Sequence, residues 1–293
     1  MSEADFLRWL YERFDAGDPA GPGDDCATLA DGTLVTTDSI LEGVEFASET
    51  EPRAAGYKAA AVSLSDIAAM GGRAEALFCA AVLGPRHKTA AQEIVKGLLD
   101  ACRPFGVRLA GGDYSSWNSP TVLVTTAVGR ARRAVPRSGA RAGQLLCTTG
   151  VLGGSILGKH LRFTPRLREG AAIAACGASA MIDISDGLAA DAERLAEASG
   201  AGVVIDAEAV PVSAAARVLS ERDGRTPLEH ALADGEDFEL LFCADEADVE
   251  RLRRLRTFAA PVFVVGRVTE KRGLWLARGE NVEPLEASGW LHD

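Results

Sequence analysis

Residues 181–188 read MIDISDGL, a strand-like apolar run interrupted by two carboxylates, Asp183 and Asp186, and closed by Gly187. A carboxylate left unpartnered in apolar surroundings is costly enough to take up a proton instead. The run therefore lies at the edge of the core, or something cationic is brought to it. Downstream, DGLAADAERLAEASG (186–200) reads as a helix, with Asp186 as a candidate N-cap and Gly200 as its stop. Capping explains Asp186 at least as well as chemistry does. It leaves Asp183 unexplained.

Outward from this stretch, short β-like runs alternate with Ala-rich helical ones. TLVTTD (33–38), LFCAAVL (77–83), VRLAGGD (107–113) and TVLVTTAVG (121–129) read as strands bounded by Gly, Asp or Pro. AAGYKAAAVSLSDIAAMGG (54–72) and TAAQEIVKGLLDACRPFG (89–106) read as helices that stop at glycine. RARRAVPRSGARAG (130–143) is polar, basic and punctuated by Gly and Pro, which makes it the candidate domain boundary. Beyond it, QLLCTTG (144–150), AMIDIS, GVVID, FELLFC and PVFVVG supply the strands of a second half. A chain of 293 residues builds one large domain or, as this boundary favours, two of ordinary size.

Composition narrows the partners. Lys and Arg number 31 against 42 Asp and Glu, a net charge of −11. That balance argues against nucleic acid and anionic membrane, which call for a basic surface. It permits a phosphorylated substrate, because bound metal ions invert the local field. The segment MSEADFLRWLYERFDAGD is charged throughout and lacks a secretory apolar core, and no stretch approaches a membrane-spanning length. The six cysteines form no C-x-x-C pair and mostly lie in apolar runs, as buried thiols of a reducing cytosol do. A cytoplasmic location is expected.

Acids recur beside glycines and at strand ends: Asp24 and Asp25 in GPGDDCA, Asp38 in LVTTDS, Asp113 in LAGGDYS, and Glu236 and Asp237 where ADGEDFELLF enters a strand. Each alone is an ordinary turn residue. Asp66, in SLSDIAAMGG, is not, since a turn does not explain a carboxylate on an Ala-rich helix. Spacing leaves two readings open: scattered turn acids, or one pocket in which magnesium ions bridge carboxylates to a phosphate chain. GGSILGKH (153–160) fits G-x-x-x-x-G-K, but His160 stands where a P-loop hydroxyl would ligate magnesium, so a Gly turn leading into a helix is expected. RLRRLR (251–256) reads as a solvated helix face, and the four histidines show no ligand spacing. There is no G-x-S-x-G nucleophile. Phosphoryl transfer suits this inventory, because it depends on positioning and charge neutralisation.

Taken in order, GDDCA, TTDSILEGVEF, GYKAAAVSLSDIAAMGG, LAGGDYS, VPRSGARAGQLLCTTG, MIDISDGL, DGEDFELLF and GWLHD resemble the thiamine-monophosphate kinase family, within the superfamily of aminoimidazole ribonucleotide synthetase and selenophosphate synthetase. The resemblance runs from about Asp24 to the C-terminus. It implies an α+β protein of two domains: residues 1–137 for metal and ATP binding and for homodimerisation through the sheet, and residues 138–293 completing the ATP and substrate cleft. It implies magnesium-dependent transfer of the ATP γ-phosphate onto thiamine monophosphate, giving thiamine diphosphate. By motif, Asp25, Thr36 (through its carbonyl), Thr37 (through its hydroxyl), Asp38, Asp66, Asp113, Asp183 and Asp186 resemble the metal shell. Gly112, Asp113, Arg137 and Ser185 resemble the ATP contacts, and Glu45, Glu236 and Trp290 fall at substrate positions, Trp290 as a stacking partner for the thiamine rings. No general base is implied, since the acceptor phosphate is already anionic near neutral pH.

Three residues depart from the family pattern: Glu45 replaces a histidine, Tyr114 a threonine and Ser63 an asparagine. An ionised Glu45 cannot donate a hydrogen bond to phosphate. It compensates a thiazolium charge or marks a relative that phosphorylates another small molecule. A nucleotide-binding regulator without catalysis is the remaining alternative, and the full acidic set counts against it.

Overall fold

The computed structural model describes residues 9–10, 13, 20–255, 260–287 and 289. Its organising element is helix α1, Pro52–Ala69, in which thirteen of eighteen residues are buried. Alanine favours the helix throughout, Pro52 suits its first turn, and Gly71 at φ 67° turns the chain out. A helix apolar on every side belongs in the interior. One side of α1 packs on β2 (Thr33–Leu41), β3 (Arg73–Leu83) and β5 (Val122–Arg130). With β1 (Ala27–Thr28) and β4 (Arg108–Ser116), these form a five-stranded sheet in the order β1-β2-β5-β3-β4. Only the β3–β4 pair is parallel. Helix α2 (Ala91–Cys102) packs tightly across α1, where a Cβ on Gly56 would sit 2.1 Å from the Ile94 carbonyl oxygen and one on Gly97 2.0 Å from that of Arg53.

The other side of α1 meets the second half of the chain. That half holds β6 (Leu145–Thr149), α3 (Lys159–Arg162), α4 (Leu167–Ala175), β7 (Ala180–Asp183), α5 (Leu188–Ala198) and β8 (Gly202–Asp206). There follow α6 (Ala214–Asp223), α7 (Pro227–Ala233), β9 (Leu240–Ala244), α8 (Glu246–Arg253), β10 (Val262–Thr269), β11 (Gly273–Arg278) and β12 (Asn281–Pro284). The sheet runs β12-β11-β8-β10-β6-β9-β7, with β9 buried along its whole length. One apolar core joins the halves, linking Leu64 and Ile67 of α1 to Met181, Leu240 and Phe242. A second lies within the C-terminal half, around Leu188 and Leu195 of α5 and Ile205, Leu241 and Val265 of the sheet. The α+β class and the two-part architecture are those the sequence implies. No helix among the described residues is long and apolar enough to cross a membrane.

Three local expectations change. Helix α5 begins at Leu188 with Gly187 as N-cap, so Asp186 does not cap it. Instead the Asp191 carboxylate, inside the first turn, accepts the backbone N–H groups of Asp186 (3.0 Å) and Gly187 (3.2 Å). Glu236 and Asp237 do not enter a strand either. The strand starts at Leu240, and Glu236 (φ 53°) and Phe238 (φ 49°) hold left-handed backbone conformations. Strain of that kind in non-glycine residues gathers where a loop is shaped for a ligand. The 251–256 run is helical only to Arg253.

Candidate active site

Polar residues on the inward faces of a largely buried helix have to be accounted for, and on α1 Lys58, Ser63, Ser65 and Asp66 stand out. Ser63 and Asp66, three residues apart, share the face toward the first sheet. There the Ser63 hydroxyl donates to Asp38 (2.7 Å), and the Thr36 hydroxyl, on the neighbouring inward position of β2, donates to Asp66 (2.5 Å). Ser65 and Lys58, seven apart, face the C-terminal half. Ser65 donates to Asp183 at the end of β7 (2.5 Å), and the Lys58 ammonium pairs with the Glu236 carboxylate.

The three carboxylates of Asp25, Asp66 and Asp183 thereby converge from a loop, a helix and a strand end. Each offers an oxygen within 4.8 Å of the others. Burial pushes the Asp66 carboxyl well above its ordinary range, reinforced by the charges of Asp38, Asp183 and Asp25. Asp183 moves the same way, through burial first and Asp25 next, and burial raises Asp38 as well. The field reaches Cys26, whose thiol is pushed far up by burial and then by the same acids. Like charges gathered so closely are stable only with protons or a cation among them. Asp25 Oδ2 is buried and has no hydrogen-bond partner among the described residues, while Oδ1 accepts from Arg137 Nη2 at 2.8 Å. An orphaned, buried carboxylate oxygen in an all-oxygen donor set fits a hard divalent cation such as magnesium.

Arg137 is anchored twice, its backbone N–H donating to Asp24 (2.7 Å) and its guanidinium to Asp25. Its Nε is buried with no hydrogen-bond partner among the described residues. Asp186 stands apart from the three-acid focus, paired with Arg194, which also donates to Asp191 at 2.8 Å. Burial and the Asp186 charge raise the Asp191 carboxyl to about 7. Thr37 turns its hydroxyl to the Thr125 carbonyl (3.1 Å) and lies within 3.1 Å of the Thr126 hydroxyl. Asp113 lies exposed on β4 opposite Ala80, outside the focus. Gly112, beside it, leaves no room for a side chain, since a Cβ there would meet the Cys79 carbonyl oxygen at 1.9 Å. The Ser185 carbonyl accepts the Glu236 N–H at 2.6 Å. Glu45 folds back on its own turn, its carboxylate accepting the Leu41 N–H (2.6 Å) and its carbonyl the Lys58 ammonium (2.5 Å). Trp290 lies outside the described residues.

Sequence reasoning passed over Ser65, Lys58, Asp191 and Arg194. The available signal was the isolated lysine in GYKAAAV, since a lone charge on an Ala-rich buried helix needs a partner. The P-loop-like stretch is spent on structure. The N–H groups of Gly153 and Gly154 donate to Asp237 (2.7 Å) and Asp234 (2.8 Å), and Lys159 pairs with Asp237 and Glu239. Glu239 also accepts from Nε and Nη2 of Arg166 (2.7 and 2.8 Å) and from the Thr149 hydroxyl (2.7 Å).

A two-part α+β chain with an acidic focus between its halves defines an AIR synthase-related protein: residues 23–131 match the N-terminal domain of AIR synthase related proteins and residues 136–276 the C-terminal domain. Thiamine-monophosphate kinase of Rhodopirellula baltica is 40% identical over 83% of this chain and 77% of its own length. That of Methanospirillum hungatei is 38% identical over 92% of each. The chain belongs to the thiamine-monophosphate kinase family. A solved structure described as AaThiL complexed with AMPPCP and TMP superposes with a TM-score of 0.88 at 29% identity, covering 100% of this chain and 97% of that one.

Proposed function

We propose that this chain phosphorylates thiamine monophosphate to thiamine diphosphate with ATP, using magnesium held by the acids described above. The observation that carries the reading is the meeting of Asp25, Asp66 and Asp183 within 4.8 Å, with a buried oxygen of Asp25 that has no hydrogen-bond partner among the described residues. Magnesium, when bound, supplies charge neutralisation between carboxylates and phosphate oxygens. Asp25, Asp66 and Asp183 are the ligands this arrangement supports best. Asp38 and Thr36 stand behind them, while Thr37, Asp113 and Asp186 complete the shell carried over by family motif. Arg137 presents its free Nε–H to phosphate oxygens as a charge-assisted donor. Gly112 and Asp113 on β4 and Ser185 after β7 are its partners in nucleotide binding. Glu236, Glu45 and Trp290 flank the acceptor.

In the reaction, an acceptor phosphate oxygen forms a bond to the γ-phosphorus as the bond to the β-bridging oxygen breaks, and ADP leaves with the electron pair. The attacking oxygen is already anionic, so no side chain needs to remove a proton. What the chain supplies is alignment of the two phosphates and donors aimed at the transferring group. Incubation with ATP, magnesium and thiamine monophosphate, followed by product analysis, tests the proposal. ADP without thiamine diphosphate, or neither product, counts against it.

We place the domain boundary at 137/138, supported by the passage from the first sheet, which ends at Arg130, to the second, which begins at Leu145. Homodimerisation through the first sheet is supported by the exposed edge strand β4 and by Phe78, Tyr114 and Trp117, 40%, 58% and 46% exposed. Six unpaired, buried cysteines support a cytoplasmic location.

A further inference from the structure

We propose that Lys58 is a positioning residue that shapes the acceptor subsite from both halves of the chain at once. The inference rests on reading Glu236 as an acceptor contact. Lys58 is fully buried, and its ammonium makes two contacts that come from distant parts of the sequence. One is the carboxylate of Glu236, in the strained loop before β9; the other is the backbone carbonyl of Glu45, after β2. An ammonium carries three donors and no acceptor, so it can draw both oxygens toward one point.

The Glu236 loop needs such a restraint. Gly235 (φ 71°), Glu236 and Phe238 all hold left-handed backbone conformations, which persist only where surroundings over-determine them. The Glu236 backbone is fixed by its N–H to the Ser185 carbonyl, and its side chain, still 27% exposed, is fixed by Lys58. The adjacent residue on α1 makes a parallel link. The Tyr57 hydroxyl donates to the Phe163 carbonyl at 2.9 Å, and the Phe163 ring stacks on Phe238 with centroids 4.0 Å apart. Tyr57 thus holds the apolar end of the loop, while Lys58 aims its acidic end.

The arrangement also accounts for the glutamate that replaces the family histidine at position 45. Lys58 binds the main-chain carbonyl there, a contact independent of side-chain identity, and the Glu45 carboxylate closes its own turn on Leu41. Lys58 therefore restrains the main chain at position 45 whatever side chain stands there, beside the turn that the Glu45 carboxylate closes.

The test compares Lys58→Met, Lys58→Arg, Glu236→Gln, the double variant Lys58→Met/Glu236→Gln and the control Tyr57→Phe, reading KM for thiamine monophosphate, KM for ATP, kcat and the thermal midpoint. Lys58→Met is expected to raise the acceptor KM on the order of ten- to a hundredfold, with the ATP KM within about twofold. Lys58→Arg should recover part of the loss, and the double variant should be no worse than Glu236→Gln alone. Tyr57→Phe should lower the midpoint without a comparable change in acceptor KM. Should Lys58→Met not fold, Lys58→Gln, which keeps a donor without the charge, carries the same expectation. An unchanged acceptor KM in the Lys58 variants, beside a raised one in Glu236→Gln, overturns the proposal alone. So does an equal rise in Tyr57→Phe. An unchanged KM in Glu236→Gln removes the acceptor role of Glu236 and the proposal with it, whereas absence of wild-type turnover with thiamine monophosphate refutes the functional reading itself.

Discussion

Replacing Asp66 by asparagine should make the metal-free protein more stable and the enzyme inactive. Two unit charges 4.8 Å apart at an effective dielectric near 20 repel by about 3.5 kcal/mol. Partial proton uptake by the cluster lowers the relief to roughly 1–3 kcal/mol, equivalent to about 2–5 °C in midpoint for a chain of this size. Asparagine retains an oxygen to accept the Thr36 hydroxyl, so the substitution removes charge without removing that bond. The sign of the pH dependence follows from the direction of the shift. The folded-state pKa of Asp66 lies above its ordinary 3.8, so the folded protein holds the proton more tightly. The stability this confers is complete below about pH 4 and is lost as pH rises through the folded value. The gap between the variant and the wild type should therefore be small near pH 4 and widen upward. Thermal scans in chelator at pH 4, 6 and 8 measure it. Magnesium with an ATP analogue should raise the wild-type midpoint and move that of the variant much less, and turnover should fall about a hundredfold or more. A variant less stable than wild type in chelator at pH 8, or one with undiminished turnover, would refute the argument.

Three further outcomes are expected. Burial raises the Asp237 carboxyl to about 6, against the opposing pull of Lys159, so its stabilising contribution is present below about pH 4 and gone above pH 6. The stability of wild type relative to Asp237→Asn should fall by up to roughly 3 kcal/mol across that window in urea titrations, and a flat difference contradicts the assignment. Ser65→Ala deprives Asp183 of its hydroxyl donor, so magnesium affinity measured calorimetrically with an ATP analogue should weaken roughly tenfold, and unchanged affinity would mean that the bond does not orient the ligand. Gly150→Ala places a Cβ 2.3 Å from Glu239 Oε1 at a φ of 60°, and urea midpoints should report a loss of about 2–4 kcal/mol. A loss below about 1 kcal/mol would show that the Arg166–Glu239 pair yields without cost.

Much of this molecule is legible along the chain. Strands such as 202–206, helix α1 and the break after residue 130 follow from apolar runs, alanine content and Gly/Pro punctuation, which are local properties. Asp183 stood out because an acid inside an apolar strand needs a partner wherever that strand lies. Sequence alone leaves Asp186 open between a helix cap and a metal ligand, because both have the same local signature. Only the fold showed that Asp191 takes the capping bonds and that Arg194 takes Asp186. The Glu236 segment differs from its strand-like expectation for a related reason: its backbone is left-handed, its N–H is bound to the Ser185 carbonyl and its side chain to Lys58, and both partners are distant in sequence.

The order and type of residues by themselves determined the elements, the α+β class and the inventory of oxygen donors. Tertiary structure decided which donors meet: Asp25, Asp66 and Asp183, separated by dozens of residues, converge because α1 is buried on both sides and carries Asp66 and Ser65 toward different halves of the protein. The physical reason is that propensity and periodicity act within a turn or two of chain, whereas charge repulsion, desolvation and pairing depend on distances that only packing sets.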